Sequence, residues 1–506
     1  MKIKLPALIL ACALLAAAGC SAGAKNTDAA DSAGTVTLHW MVVGEKSKNS
    51  DDVFNEFNRR LRAFFPDTAV EFEVVPKESY KEKWDMKLAT NEPLDIAWIG
   101  NELFNYTEEV KKGSFIALDY LLNTCGQELL PQIPEKVWAI QRRDGKIYSV
   151  PLMGTLYRRD VALAARKSSV RGFGTAKFAQ IGSVNRSSGY TNEACYRAIE
   201  EYLEYLKQNG LTGTGVSCRT FAEIADKGLE GLYGAGSPFV IRIFDTTPTV
   251  YNKYELKTYR DYFAAMSRWY KNGYIRENIE EVLNASADDG KKGGSSIFLD
   301  EYGEHGSAFD RIATEYEAVR EPLQDYKYIS FEACRNAAVI PRTSQNPRRA
   351  MEVLTLLNTE RGEELYRLLV NGFERRHYVL MSNDRVDKVT DERGKPLYDL
   401  SQYTVGNAFL NFEIAEGEFE QLNNYNENAL VSRLSGFELD TRMIVLEMQK
   451  IKLTAEEYVP RLSRGTAEDW ESLYDEFIEK MRLAGSGKVV LEMQRQIDAF
   501  MEKRAQ

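Results

Sequence analysis

The chain contains 506 residues, of which 44% are hydrophobic and 28% charged, and its formal net charge is −10. This composition is typical of a folded globular protein and excludes a disordered, collagen-like or polytopic membrane chain. Because domains run to roughly 100–200 residues, the length predicts two or three folded units. The acidic balance argues against nucleic acid as a partner, since phosphate binding needs a concentrated basic face.

The N-terminus predicts export and lipidation. A basic start precedes an apolar run from Leu5 to Ala18, and these about 14 residues fall short of the roughly 20 that span a bilayer. The pattern is typical of a secretory signal peptide over 1–19. Small residues followed by Cys20 resemble a bacterial lipobox, which implies acylation of the cysteine thiol; an ordinary signal peptide with an incidental cysteine is the alternative. Residues 20–34 would then be a lipidated flexible tether, holding the folded body on the extracytoplasmic side of the cell membrane.

The folded region begins with alternating strand and helix patterns. Residues 35–43 alternate apolar and polar side chains, as a strand does, and 69–75 repeat the pattern. Residues 51–65 carry apolar side chains at steps of three and four, and 80–88 share one helical face, so both predict helices. Residues 94–99 form a short buried-type strand. This β-α-β-α-β order predicts a mainly parallel sheet, whose ligands bind at the carboxyl ends of the strands.

Helical patterns dominate the later part of the chain. Periodic apolar positions predict helices over 192–208, over 256–270, from Pro347 to Leu357 and over 490–500. Asn346 and Pro347 are preferred residues for an N-cap and a first helical turn. We therefore predict an α/β protein with a helix-rich C-terminal third.

Several short stretches along the chain also carry a family resemblance. They are YKEKWDMKLATNEPLDIAWIG (80–100), KKGSFIALDYLL (111–122), DGKIYSVPL (144–152), WYKNGYI (269–275), VIPRTSQNPRRAMEVLTLL (339–357) and NGFERRHY (371–378). On these stretches the chain resembles the bacterial extracellular solute-binding proteins of family 1, the lipid-anchored receptors of ABC importers. Residues 457–500 are similar to a C-terminal domain of unknown function found on such receptors.

The resemblance implies a type II periplasmic-binding-protein-like fold. Its two α/β lobes would be joined by crossover strands and would close on a solute by a hinge motion. We place lobe 1 at 35–153 and 330–380. Lobe 2 is placed at 154–329 and 381–506, where it includes a C-terminal helical extension.

Carbohydrate binding needs flat apolar faces together with planar polar groups, and Trp and Tyr supply both. Trp40 also shares an alternating stripe with Val36 and Leu38, so packing in the core is an equal alternative for it. Asn371 and Arg376 are outside candidates. From their positions at strand ends and in loops, the predicted substrate-binding residues are Trp40, Glu45, Trp98, Asn101, Tyr157, Phe298, Asp300 and Tyr302.

The resemblance implies a monomeric receptor, with no enzymatic activity and no cofactor, that delivers a carbohydrate, an oligosaccharide in particular, to ABC permease subunits. No G-x-S-x-G, H-E-x-x-H or Walker motif occurs in the sequence. The alternatives are a receptor for a peptide or another polar metabolite, a surface glycoside hydrolase, and a sensory lipoprotein. The 75 acidic residues leave the carboxylate pair of a hydrolase open.

Overall fold

A computed structural model describes most of the chain. The described residues are 35–100, 103–154, 156, 160–211, 221–233, 236–280, 297–302, 318–331, 336–381, 386–411 and 424–505, and at 160, 298, 300–302, 318 and 505 only the backbone is described. None of the helices in these ranges has the length and apolar character needed to cross a membrane.

Short strands and longer helices alternate along the chain. The strands are β1 Val36–Val43, β2 Thr68–Val75, β3 Ile96–Ile99, β4 Arg142–Arg143, β5 Lys146–Ile147, β6 Val150–Pro151, β7 Asp160–Arg166, β8 Leu229–Gly231, β9 Phe239–Arg242, β10 Tyr251–Asn252, β11 Ile297–Tyr302, β12 Ala318–Pro322, β13 Tyr328–Ile329, β14 Ala337–Val339, β15 Tyr378–Leu380, β16 Val386–Lys388 and β17 Leu430–Val431. The α-helices are Ser50–Leu61, Lys77–Thr90, Tyr106–Lys111, Asp119–Thr124, Glu135–Gln141, Lys167–Phe173, Thr175–Ser187, Glu193–Gln208, Ala222–Ala225, Lys257–Lys271, Pro347–Leu357, Glu363–Asn371, Val445–Arg464, Trp470–Leu483 and Ser486–Ala505.

The first lobe is built on a five-stranded sheet with the order β2-β1-β3-β14-β6. Strand β1 pairs in parallel with β2 and β3, as the β-α-β-α-β pattern predicts. Strand β14 pairs antiparallel with both β3 and β6, and it enters the sheet after the chain has passed through the second lobe. Strands β1, β3 and β6 therefore point in the same direction and end at one edge, which we call the carboxyl edge.

A buried carboxylate fixes one end of this sheet to a helix. Asp95 is fully buried and accepts hydrogen bonds from the Ser344 hydroxyl at 2.6 Å and the Asn346 N–H at 3.0 Å. It also accepts the His39 N–H of β1 at 3.0 Å. These bonds hold the start of the helix Pro347–Leu357 against β1, and the helix begins where the sequence predicts.

The second lobe has its own core. Its antiparallel sheets have the orders β11-β7-β12 and β10-β9-β8. The long helix Lys257–Lys271 packs against the C-terminal helices, and Trp269 and Phe477 are fully buried in the same apolar cluster. The C-terminal helices therefore belong to this lobe.

Residues 386–411 lie in the first lobe, whereas the predicted boundaries put them in the second. Tyr398 and Leu410 are buried in the first core. The Tyr398 hydroxyl donates to the Leu369 carbonyl at 2.6 Å, and the Tyr366 hydroxyl donates to the Gln402 carbonyl at 2.8 Å. Tertiary contacts of this kind, rather than any local periodicity, decide where this segment packs.

Over the described residues, the chain passes between the two cores at three places. It leaves the first core after Met153 and is in the second by Val161. It returns over residues 329–337, where Ile329 and Ala337 lie in the first core and Phe331 in the second, and it crosses again between Ala429 and Leu434. The Asn426 side chain joins the first crossing to the segment that leads into the third, because its amide group donates to the Gly154 carbonyl and accepts the Leu156 N–H, both at 3.0 Å.

Candidate ligand-binding site

The carboxyl edge of the first-lobe sheet lies where all three crossings meet this lobe. Strands β1, β3 and β6 each run into a glycine within three residues, at Gly44, Gly100 and Gly154. In open α/β sheets, ligands bind in the crevice outside such an edge. Ile99 and Arg143 of the first lobe line a small concavity here together with Phe331 and Phe437 of the second lobe. We therefore take the space between the lobes, the interlobe cleft, as the candidate site.

Trp98 is the third residue of β3, next to this edge, and its side chain is buried in the first core. Its ring lies so close to Gly100 that a methyl group there would overlap the indole. The ring also makes edge contacts with Tyr80 and Phe104, with centroid distances of 5.6 and 6.5 Å. Only 5% of the residue is exposed, and its indole N–H has no hydrogen-bond partner among the described residues. A buried donor without a partner costs free energy, which a ligand acceptor would recover.

The second crossing is anchored to the second lobe by a buried carboxylate. Glu230 on β8 accepts the Tyr328 hydroxyl at 2.6 Å, the Ser432 hydroxyl at 2.7 Å and the Phe331 N–H at 2.8 Å. Tyr328 belongs to β13, and Ser432 directly follows β17, which pairs in parallel with β13. Burial raises the pKa of the Glu230 carboxyl above its ordinary value. One side chain thus holds the second and third crossings to the same strand.

Trp40 lies in the core and not at the edge. It is 1% exposed and its ring packs against Phe72, with a centroid distance of 5.5 Å. This is the core-packing alternative stated for Trp40, and it follows from the alternation that places Trp40 on the same face as Leu38. Glu45 is exposed directly after Gly44, so its carboxylate is available at the carboxyl edge.

The remaining predicted contacts are only partly described. Asn101 and Tyr157 lie outside the described residues, as does Cys20 with the whole of 1–34. Phe298, Asp300 and Tyr302 belong to β11, whose backbone pairs antiparallel with β7, and their side chains lie outside the description.

The two outside candidates are engaged in contacts within the first lobe. The Asn371 amide is buried and donates to the Asn411 side-chain oxygen at 2.7 Å. Arg376 donates to Asp52 at 2.6 Å and to the Asn49 side-chain oxygen at 2.9 Å. Both therefore stabilise the packing of this lobe.

A second concavity lies on the second lobe. This groove of about 600 Å³ is bordered by strands β13 and β17 and by the end of the last helix. Phe244 and Leu430 are about half exposed in it, and Arg433 and Arg504 add positive charge. In the described part of the chain, no group of three or more His, Cys, Asp or Glu side chains is placed to hold a metal ion.

Two lobes, each with its own core, joined by chain crossings at the carboxyl edge of the first sheet, are the architecture of the type II solute-binding proteins. Solved structures share this fold. The crystal structure of the N-glycan transport solute binding protein NgtS from Streptococcus pneumoniae matches 92% of this chain and 99% of its own, with a TM-score of 0.68 and 21% identity. NgtS in complex with Man1GlcNAc covers the same shares with a TM-score of 0.57 and 20% identity. An extracellular solute-binding protein family 1 from Alicyclobacillus acidocaldarius matches 90% of this chain and 100% of its own, with a TM-score of 0.51 and 16% identity.

Sequence comparison agrees with the fold. A carbohydrate ABC transporter substrate-binding protein of Streptococcus pneumoniae serotype 4 is 24% identical over 500 residues, which cover 97% of this chain and 96% of that protein. Residues 433–502 match the family described as a domain of unknown function, DUF3502. The predicted resemblance is confirmed: the chain has the fold of the family 1 solute-binding proteins and carries a DUF3502 domain at its C-terminal end.

Proposed function

We propose that this protein is the solute-binding receptor of an ABC importer, and that it captures an oligosaccharide in the interlobe cleft and delivers it to the membrane permease subunits. The observation that carries the proposal is the match of nearly the whole chain to two proteins whose names give their cargo. The sequence relative is named for carbohydrate transport and NgtS for N-glycan transport. The Trp98 indole N–H, which is buried and without a partner among the described residues near the carboxyl edge, supports the proposal as a donor that a movement of the lobes would make available to a sugar oxygen.

Binding in this site is non-covalent. The Trp98 indole offers a hydrogen-bond donor to a sugar oxygen, and the exposed Glu45 carboxylate accepts from sugar hydroxyls. Asn101, Tyr157, Phe298, Asp300 and Tyr302 stay predicted contacts that complete the cleft. The receptor needs no cofactor and is not an enzyme, so the bound sugar is released unchanged. ATP is hydrolysed by separate cytoplasmic subunits.

The receptor acts as a monomer anchored through a lipid on Cys20, on the extracytoplasmic side of the cell membrane. Cys20→Ala tests the anchor, because loss of the acylated thiol removes the only predicted attachment. We expect this variant to leave the membrane fraction for the soluble fraction. Retention of the variant in the membrane fraction would contradict lipidation at Cys20.

Thermal unfolding of the soluble form that starts at Ser21 tests the ligand class. The panel contains Man1GlcNAc, other oligosaccharides, monosaccharides, short peptides and charged metabolites. A ligand at 100 times its dissociation constant stabilises the folded state by about 2.7 kcal/mol, a shift of a few degrees in a chain of this size. We expect dose-dependent shifts with oligosaccharides. Shifts with peptides or charged metabolites alone would contradict the carbohydrate assignment, and new reducing ends would indicate a hydrolase.

Two variants locate the site. Trp98→Phe removes the indole donor, and Trp138→Phe makes a similar change at a buried tryptophan in the helix Glu135–Gln141. We expect weaker oligosaccharide binding only for Trp98→Phe, with the stability of each variant measured without sugar. Loss of binding in an Arg433→Ala, Arg504→Ala double variant, with Trp98→Phe unaffected, would move the site to the groove on the second lobe.

A further inference from the structure

The exposed side chain of Tyr403 lies beside the cleft and has no role in the function proposed above. Tyr403 is 48% exposed, and its ring packs against Gly154 at the first crossing, where a methyl group would lie 3.3 Å from the ring. Its hydroxyl has no hydrogen-bond partner among the described residues. Tyr120 and Tyr233 are also exposed, at 73% and 57%, but they lie on a first-lobe helix and in the second lobe.

The segment that carries Tyr403 runs along the carboxyl edge. Leu400 lies next to Gly44 at the end of β1, where a methyl group would be 3.5 Å from the leucine. The Ala408 N–H donates to the Met153 carbonyl at 2.8 Å, just beyond the end of β6. Tyr403 lies between these two contacts in the chain. Its segment therefore borders the side of the sheet that faces the cleft.

The same segment is held rigidly. Besides the bond from Tyr366, the Gln402 side-chain oxygen accepts from the Asn411 amide at 2.7 Å, and Thr404 donates from its hydroxyl to the Ser401 carbonyl at 2.8 Å. The neighbours of Tyr403 on both sides are therefore fixed, while its ring remains half exposed. A fixed aromatic ring loses little conformational entropy when a ligand stacks on it.

We propose that Tyr403 is a sugar-stacking residue at the hinge end of the cleft, an inference that rests on the proposed function. Its ring face packs against the C–H face of a pyranose, and its hydroxyl bonds a sugar oxygen. Strand β14 lies between β3 and β6, so the ends of these two strands are about 10 Å apart. Trp98 and Tyr403 therefore contact different rings of one oligosaccharide.

Isothermal titration with Man1GlcNAc tests this inference on the soluble form of the full chain. Tyr403→Ala removes the ring, and we expect its dissociation constant to rise about tenfold. Tyr403→Leu keeps an apolar side chain over Gly154 but has no flat face. We expect its dissociation constant to rise by a similar factor. Tyr403→Phe is expected to stay within about threefold of the wild type, since it loses only the hydroxyl bond. Tyr120→Ala is the matched control and is expected to bind as the wild type does.

The binding results distinguish a failure of the proposed function from a failure of the role proposed for Tyr403. Wild-type protein that binds neither Man1GlcNAc nor any other oligosaccharide of the thermal-unfolding panel counts against the proposed function and removes this inference with it; where another oligosaccharide binds instead, the same variants are titrated with that sugar. Normal wild-type binding, together with unchanged binding in both Tyr403→Ala and Tyr403→Leu, overturns the role of Tyr403 alone. Thermal unfolding without sugar shows whether each variant is folded, and Tyr403→Leu supplies the measurement if Tyr403→Ala is not.

Discussion

The Glu438 carboxylate and the Arg143 guanidinium form an ion pair between the two lobes, with 3.4 Å between Oε1 and Nη2. Glu438 lies in the DUF3502 domain beside Phe437, which is buried in the second core. Its carboxylate also accepts the Thr107 N–H at 2.9 and 3.1 Å, and the Arg143 Nε donates to the Thr107 hydroxyl at 2.6 Å. Both charged side chains are less than 15% exposed. This part of the DUF3502 domain therefore connects the lobes.

Removing this pair is expected to change the binding equilibrium. A contact between the lobes must be kept or broken when the lobes move, so its removal shifts the equilibrium between their arrangements and with it the apparent affinity for a ligand held between them. We expect Glu438→Gln to change the dissociation constant for oligosaccharide about two- to fivefold, as measured by isothermal titration.

Asp440→Asn is the matched control for this variant. Asp440 pairs with Arg442 at 2.5 Å within the same segment, so this ion pair does not join the lobes. Its loss is expected to leave the affinity unchanged. Unchanged binding by Glu438→Gln would show that the interlobe pair does not bias the arrangement of the lobes.

The buried Glu230 predicts a specific pH dependence of stability. Burial raises the pKa of its carboxyl, so over the range between the unfolded and folded pKa values the native state holds a proton that the unfolded state has released. The contribution of Glu230 to stability is therefore full below the unfolded value of about 4.3 and falls as pH rises through the folded value. We expect Glu230→Gln to lack this fall, which urea unfolding at a series of pH values would show.

Glu230→Ala makes a different change at the same position. It leaves the hydroxyls of Tyr328 and Ser432 and the N–H of Phe331 without their acceptor. We expect this variant to lose about 2–4 kcal/mol of unfolding free energy at neutral pH, and Glu230→Gln to lose less. If both variants were as stable as the wild type, the carboxylate would not anchor the crossings.

Gly100 tests the position of the Trp98 indole. A methyl group at Gly100 would overlap the Trp98 ring, so Gly100→Ala is expected to displace the indole, to cost about 1–3 kcal/mol and to weaken oligosaccharide binding. Gly487→Ala is the control, because a methyl group there would have no neighbour within 4 Å. Unfolding and titration of both variants check the expectation, and unchanged binding by Gly100→Ala would indicate that the indole is not a contact.

The first part of the fold could be predicted from the sequence because local patterns decide it. The apolar alternation of residues 36–43 and the helical spacing of Tyr80 and Trp84 reflect burial within single elements, and both of these side chains are fully buried. The position of Trp98 at a strand end was likewise visible in the pattern of residues 94–99. Such signals need only neighbouring residues.

The segment of Tyr403 could not be placed in the same way. Residues 386–411 have no helical or strand periodicity, and Tyr403 reaches the site through contacts with residues such as Gly154 far away in the chain. Arg143 and Glu438 are 295 residues apart, so their pairing depends on how the two lobes come together. Exposed tyrosines in non-periodic segments after the second crossing are the signal that could have suggested Tyr403.

The exchange of chain between the lobes also limits how this protein can fold during synthesis. The first sheet needs β14 between β3 and β6, and the first core needs the side chains of Phe409 and Leu410. A nascent chain grows from its N-terminus, so the first lobe cannot close its core until residue 410 has been made. The N-terminal strands therefore stay without β14 and the side chains of Phe409 and Leu410 until late. Both lobes complete their folding late and nearly together.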